Sequence, residues 1–447
     1  MPVTRTAPEP GTRAPRPTAA RAVPAPRPTL PPGPGSTPGP VAAMRAAAPP
    51  PTREIWFAAW PVVALFILSN TAMPLYAVWQ RQLAFSSGTL TLIYAAYMVG
   101  LLGALLVAGV ASDRVGRKPV LVPALLLGLV ACLVYATAPS VAALVVARLL
   151  TGVATGAAVS AGMAAVTDIA AGRSSGPLLA STGMVLGAGI GPVLAGVLSE
   201  TAPGPTVTVF VVEALLLVTA LASVVRMPLP RRDRGSGAAA SGSWVRLPAV
   251  PRANRRHLVL GLAAFAPGIS ATSFVLSLGP SLLAGLLGTA NRALAGGMAL
   301  AMFLSATGVQ FALRRMAVRT VLLTSGAATV AATLALVTAV HTAALAPLVA
   351  AVVLAGAGQG AGQLGGLTLL SREVPAARRA EANAALNAGG YLLAGVLPVA
   401  DGYLSDAIGL PAAATAFGLA VAALAAAGAA LVAVRGGDTR RTDRPAR

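Results

Sequence analysis

Long apolar runs, separated by short polar stretches, fill the chain between residues 54 and 434. A helix needs ~20 mostly apolar residues to cross the hydrocarbon of a bilayer. Runs of that length predict twelve membrane-spanning helices, at 54–79, 87–110, 118–137, 140–166, 177–199, 206–226, 257–285, 292–313, 319–340, 344–371, 382–404 and 411–434. Short alternating strands and aromatic girdles, the marks of a β-barrel, are missing. A basic stretch rich in Gly and Ser, from Arg226 to Arg256, divides six runs from six and reads as a loop. The expected fold class is an all-α membrane protein, about twelve transmembrane helices in two six-helix bundles. Residues 53–226 form the first bundle, 227–256 a cytoplasmic central loop and 257–434 the second bundle. Residues 1–52, rich in Pro, Ala, Arg and Thr, read as a disordered cytoplasmic tail with no signal-peptide core. Residues 435–447 read as a cytoplasmic C-terminal tail.

Composition sharpens the picture. The chain is 56% hydrophobic and only 10% charged, against about 25% charged in a typical soluble protein. A net charge of +20 invites a nucleic-acid partner, but the positions of the charges argue otherwise. With the N-terminus in the cytoplasm, every Lys and Arg falls on the cytoplasmic side except Arg81, Arg292 and the intrahelical Arg148. That asymmetry is the positive-inside signature. It places the chain in the inner (plasma) membrane with both termini cytoplasmic, the lipid bilayer as its partner and no nucleic acid. Trp56 and Trp60 at one end of the first span, and Tyr76 and Trp79 at the other, are expected in the aromatic belts. The single cysteine, Cys132, excludes an internal disulfide or a thiolate cluster. No resident metal or cofactor is expected. His257 and His341 sit at span ends and do not read as proton shuttles.

An internal repeat supports the division into halves. Residues 189–200 read GIGPVLAGVLSE and residues 395–406 read GVLPVADGYLSD, at an offset of 206. The same offset sets Gly152 and Gly156 onto Gly358 and Gly362. Two parallel repeats place a substrate site between them, near the bilayer midplane.

Three segments carry candidate chemistry. The loop GVASDRVGRKPVL, Gly109 to Leu121, resembles the signature G-x3-D-R-x-G-R-[RK] of the major facilitator superfamily. Gly109, Asp113, Arg114, Gly116, Arg117 and Lys118 are all in register. Gly116 permits a tight turn, and Gly109 is expected where two helices approach closely. The resemblance implies that this loop is a conformational switch, with Asp113 paired to nearby bases and facing the start of the eleventh helix. Asp168, near Arg173, is expected in the same charge network. The fourth span reads ARLLTGVATGAA, Ala147 to Ala158, and resembles the family's R-x2-x-G-x3-G motif, which implicates Arg148 in proton coupling. The fifth reads GMVLGAGIGPVLAG, Gly183 to Gly196. Gly183, Gly187 and Gly191 share one face, Pro192 removes a backbone donor, and Gly196 closes the segment. The stretch resembles the antiporter motif of drug–proton exporters, with Ala195 and Leu178 standing where that motif has glycine. These glycines and Pro192 are expected to shape the interface between halves.

Ionisable residues inside spans are few, so each is informative. Glu213 and Asp401 are the candidate proton carriers. Asn383, Asn387, Tyr391 and Asp401 project on one face of the eleventh span, since eighteen residues make about five turns. Asn70, Gln359 and Gln363, and the stripe Ser270, Ser273 and Ser277, are further candidates for lining a watery cavity. The resemblance implies a secondary transporter, not an enzyme. No nucleophile–base constellation and no nucleotide-binding GK[ST] loop accompanies the spans. The expected activity is proton-coupled efflux of small amphiphilic molecules by alternating access, with a proton-coupled nutrient importer as the alternative, and the working form a monomer.

Overall fold

The computed structural model describes residues 52–170, 176–227, 244, 248–288 and 291–435. The predicted N-terminal tail before Thr52, most of the predicted central loop, Arg173 and the residues after Arg435 lie outside the described set. The described residues form long helices and no strand. In chain order these are α1 (Arg53–Leu83), α2 (Ser87–Val115), α3 (Lys118–Ala136) and α4 (Val141–Ile169). They continue with α5 (Gly176–Thr201), α6 (Pro205–Arg226), α7 (Arg255–Leu287) and α8 (Arg292–Leu313). The last four are α9 (Val318–Thr342), α10 (Leu345–Glu373), α11 (Arg379–Ile408) and α12 (Leu410–Arg435).

Local chemistry sets the boundaries. Ser86, Ser140 and Asn291 accept a hydrogen bond from the amide three residues on, capping α2, α4 and α8. Gly116, at φ +97°, ends α2 and turns the chain straight into α3. Gly409, at φ +86°, is the single residue between α11 and α12. Two helices are irregular inside. α1 tightens to a 3-10 turn at Met73–Leu75, where Pro74 brings no N–H. α4 opens to a π turn at Ala158–Gly162, a device that recurs near functional sites.

Eleven of these helices are long and apolar enough to cross a membrane. α11 is the exception. The segment 382–404 reads as a span in the sequence, and the helix there is 30 residues long. Its polar side chains, Asn383, Asn387, Tyr391 and Asp401 among them, keep it out of the apolar class. Packing explains how such a helix is housed. It lies against α7, α2 and α12 rather than alone in lipid.

α1 and α7 run through the interior, with 83% and 72% of their apolar windows buried, whereas only 28% of α8 and 33% of α12 are. Peripheral helices turn Val99, Leu133, Leu215 and Leu419 outward, a lipid-compatible surface. Contacts between α1–α6 and α7–α12 run chiefly through α5 against α8 and α2 against α11. Tyr76 and Trp79 do not stand in a belt. Both are buried, and Trp79, Tyr135 and Phe210 stack with ring centroids 4.6–6.0 Å apart. Their apolar faces find a better partner in one another than in the interface, and offset stacks add about 0.5–1.5 kcal/mol each.

Candidate functional site

Within the first half, Arg148 of α4 is fully buried. Its Nε donates to the Tyr76 hydroxyl, and its Nη1 donates to the Ser69 carbonyl at 2.6 Å. Its guanidinium carbon lies 5.3–5.5 Å from the ring centroids of Tyr76, Tyr94 and Tyr97. The charge therefore does not snorkel to either surface. Ring faces and charge-assisted hydrogen bonds stand in for a counter-ion, since no ion pair among the described residues includes Arg148. The cage reaches the second half. Tyr94 shares a hydrogen bond with Ser273 of α7, Tyr97 with Ser69 and Thr155, and Tyr391 of α11 adjoins both tyrosines.

Close helix contact makes this geometry possible. A Cβ at Gly152 would run into the Tyr97 carbonyl, and one at Gly100 into the Leu149 carbonyl. These two glycines bring α2 and α4 together and deliver Tyr97 to Arg148.

Glu213 of α6 is also fully buried. Its Oε1 accepts from the Thr71 hydroxyl at 2.7 Å, and its Oε2 has no partner. One short segment of α1 thus serves both groups. Ser69 meets Arg148, and Thr71, two residues on, meets Glu213, immediately before the 3-10 turn. Neighbouring Asn70 donates to the Ser69 hydroxyl at 3.0 Å.

The other polar candidates separate. Ser270 and Ser277 donate to carbonyls of their own helix, so they do not act as a cavity-lining stripe; Ser273 alone reaches another group. Gln363 meets Gln310 at 3.4 Å, and Gln359 is half-buried where α10 crosses Gly268 of α7. On α11 the Oδ1 atoms of Asn383 and Asn387 are buried without a partner, as are both carboxylate oxygens of Asp401.

The DRxGR loop closes on itself. Arg117 donates to Asp113 at 2.8 Å, to Ser112 at 2.8 Å and to Asp168 at 3.1 Å. Burial works against the Arg117 charge, but the two carboxylates outweigh it and hold its pKa above the ordinary value. Lys118 donates to the Val225 carbonyl at 2.9 Å, and Arg114 lies 4.5 Å over the Trp244 ring of the central loop. The partner of Asp168 is therefore Arg117. Around Gly109, nothing lies within 4 Å of where a Cβ would stand. The close helix approach expected there is not made, because the halves meet nearer the opposite end.

That far end is fastened twice, by the two copies of the repeat. Glu200, at the end of α5, accepts from the backbone N and the Nε of Arg292, both at 2.9 Å, at the start of α8. Asp406, at the equivalent place on α11, accepts from the amides of Ser87 and Gly88 at 2.9 and 3.0 Å, at the start of α2. Each carboxylate sits on the positive N-terminus of a helix from the other half. Beside them, Gly196 touches the Arg292 carbonyl and Gly402 the Thr91 hydroxyl. The α5 glycines accordingly divide their work. Gly183, Gly187 and Gly191 pack on Val63, Phe66 and Ile67 of α1, inside their own half. Gly189, Pro192 and Gly196 face Leu300, Gly296 and Arg292 of α8. Gly187 and Gly191 are thus not at the interface between halves, contrary to expectation.

Sequence reading missed Tyr94, Tyr97, Ser69 and Thr71. The chain has six tyrosines, and five of them, all but Tyr403, gather at Arg148 or beside it. That scarcity was the available signal. Glu200 and Asp406 stood in the repeat, but their partners could not be named without the packing.

Known proteins share this arrangement of helices. No curated protein matches the chain in sequence. Among solved structures, a mutant of the nucleoside transporter NupG superimposes with a TM-score of 0.69 at 14% identity, covering 85% of this chain and 99% of that one. A bacterial homologue of the human lysosomal transporter Spinster, inward-facing and occupied, gives 0.68 at 14% identity over 88% and 98%. The same homologue, inward-facing and unoccupied, gives 0.64 at 15% over 86% and 95%. At such identities the likeness is one of fold. The model of the Major Facilitator Superfamily matches residues 55–346, and on that match the chain belongs to the Major Facilitator Superfamily of membrane transporters.

Proposed function

We propose that this transporter expels small amphiphilic molecules in exchange for protons, by alternating access. The observation that carries the reading is the α1 segment 69–71, gripped on one side by Arg148 and on the other by Glu213. An ionised Glu213 would have only the Thr71 hydroxyl beside it and no opposite charge, and burying a carboxylate so poorly compensated costs several kcal/mol. A proton removes that cost. Proton gain or loss at Glu213 then bears on α1, which also carries the Arg148 contact and the 3-10 turn. The cavity side supports an amphiphile. Tyr94, Tyr97, Tyr391 and Asn387 offer ring faces and hydrogen bonds without an exposed charge, and Met73, Val275, Leu283 and Met298 line an apolar cleft between the halves.

The arginine-rich helix ends are assigned to the cytoplasm by the charge asymmetry. On that assignment the fastened end is the outer one, and the chain stands in its cytoplasm-facing conformation, as a monomer in the inner membrane. Gly109, Asp113, Arg114, Gly116, Arg117, Lys118 and Asp168 then form the cytoplasmic switch. Asp113→Asn removes one of two carboxylates from Arg117, and a half-exposed pair contributes at most about 1 kcal/mol. Transport is expected to fall roughly fivefold, with unchanged amounts of protein in the membrane. Undiminished transport would mean that the loop is not a switch.

Glu213→Gln keeps the acceptor for Thr71 but cannot carry a proton. It is expected to abolish transport driven by a pH gradient and to leave folding intact. Retained pH-driven transport would remove Glu213 from the mechanism.

The direct test of the activity is accumulation of a fluorescent amphiphilic dye in cells lacking their main exporters, with and without this protein. Lower accumulation that a protonophore reverses supports proton-driven export. Unchanged accumulation, with the protein present in the membrane, favours the competing reading of nutrient import, which an uptake screen then resolves.

A further inference from the structure

The charge of Arg148 is left unanswered by the protein around it. No ion pair among the described residues includes it. Its Nε and Nη1 are engaged, but its Nη2 is buried without an acceptor. A buried charged donor left open is costly, and it marks a place for an acceptor. Among the described residues only Glu213 and Asp401 are buried acids. Neither answers Arg148. Glu213 grips Thr71 on the other side of the α1 segment 69–71, and with a proton bound it is neutral. Asp401 lies ten residues beyond Tyr391 on α11, about 15 Å along the helix. Every other described acid is exposed or half-exposed, near a helix end.

The tyrosine cage carries this charge to the path between the halves. The Tyr94 and Tyr97 ring centroids lie 5.4 and 5.5 Å from the guanidinium carbon, and both tyrosines adjoin Tyr391 of α11. From Tyr391, Asn387 and Asn383 continue along one face of α11 at steps of about 6 Å. Both amides are half-buried, and each has an Oδ1 without a partner. An amide or a phenol can donate or accept, so these groups fix no sign. The sign comes from Arg148. In a low-dielectric interior an uncompensated positive charge repels a second cation and attracts an anion. The tyrosine rings that would hold an organic cation are already engaged by Arg148. Beside the cage lies the apolar cleft of Met73, Val275, Leu283 and Met298. Met73 is four residues on from Ser69, which meets Arg148, and Val275 two on from Ser273, which meets Tyr94. A tail in that cleft sets a head group at the cage.

We infer that the amphiphile this protein takes is an organic anion, its acidic head at the Arg148–tyrosine cage and Asn387, its apolar tail in the cleft. This rests on the reading above that an amphiphile occupies that path, and not on the direction of transport. The full-length protein, purified in detergent, is melted at neutral pH and equal ionic strength with three probes that share one tail: phenylbutyrate, phenylbutyramide and phenylbutylamine. Acetate serves as a head without a tail. A saturable rise in Tm of about 3 °C is expected with phenylbutyrate. It is expected to be half-complete at about a tenth of the concentration that the amide needs, while the amine leaves Tm unchanged. Arg148→Gln removes the charge and is expected to erase the difference between anion and amide, whereas Arg148→Lys keeps it. Asn387→Leu is expected to raise the phenylbutyrate concentration needed about tenfold. A shift with the amide or the amine that matches the anion's overturns the anionic class and leaves an amphiphile in the path. No shift with any of the three overturns both readings. A shift with acetate as large as with phenylbutyrate overturns the role of the tail. An anion preference that survives Arg148→Gln overturns the cage as its source.

Discussion

Arg148→Ala is expected to take transport below one hundredth of the original rate while the protein still reaches the membrane. The substitution removes two charge-assisted hydrogen bonds, to the Tyr76 hydroxyl and the Ser69 carbonyl. Each contributes about 1.5–3 kcal/mol, and every ~1.4 kcal/mol is a factor of ten. Three ring faces lose their cation as well. Arg148→Lys is the sharper probe. An ammonium keeps the charge and suits an aromatic face, but it lacks the planar fork that meets a hydroxyl and a carbonyl at once. If the charge alone mattered, the lysine variant would transport normally. We expect it to fail almost as badly, with a Tm closer to wild type than that of the alanine variant. Wild-type transport by Arg148→Lys would show that the fork, and its grip on α1, is not part of the mechanism.

Glu200→Gln combined with Asp406→Asn is expected to spring the far end open. Each carboxylate holds a helix start of the other half through two hydrogen bonds. Helix-end and charge contributions together amount to about 1 kcal/mol at each half-exposed site. Both contacts are made only when the far end is closed, so both bias one equilibrium in the same direction. Opening is expected to rise about fivefold in each single variant and about 25-fold in the double, because independent biases multiply. Cys132 is the only cysteine, which makes the measurement clean. In a Cys132→Ser background, Leu283→Cys places a thiol in the cleft that Met73 and Met298 close. Its labelling rate by a membrane-impermeant maleimide reports opening. Equal rates in the double variant and its parent would show that the paired carboxylates do not hold the closed state.

The sequence made the helices legible because membrane-spanning runs announce themselves by length. Nearly every boundary falls within a few residues of the run that predicted it, and the turn at Gly116 was visible as the one residue type that tolerates its φ. What a run cannot show is which way it faces. Tyr76 and Trp79 stood at a span end like belt residues, yet their neighbours Tyr135 and Phe210 come from α3 and α6. Gly187 and Gly191 share a face, but whether that face meets α1 or α8 depends on the angle at which α5 enters the bundle. Arg148 was conspicuous as an intramembrane charge, whereas its tyrosine cage draws on α1 and α2, two separate runs. The repeat was plain in one dimension. Only the crossed packing of α5 on α8 and α2 on α11 turned its terminal acids into fasteners.

The polarity of α11 has a consequence for how the chain is made. A segment leaving the translocon partitions into lipid according to its own side chains, and a central Asp or Asn weighs against it. α11 falls short of that standard. α12, which follows after Gly409 alone, meets it amply. The pair therefore enters as a hairpin, the later helix carrying the earlier one. Until α12 has emerged from the ribosome, α11 must wait in the aqueous channel or against α7 and α2, which are already in place. Biogenesis of this protein is in that sense decided at its last helix, and truncation there would strand α11 outside the membrane.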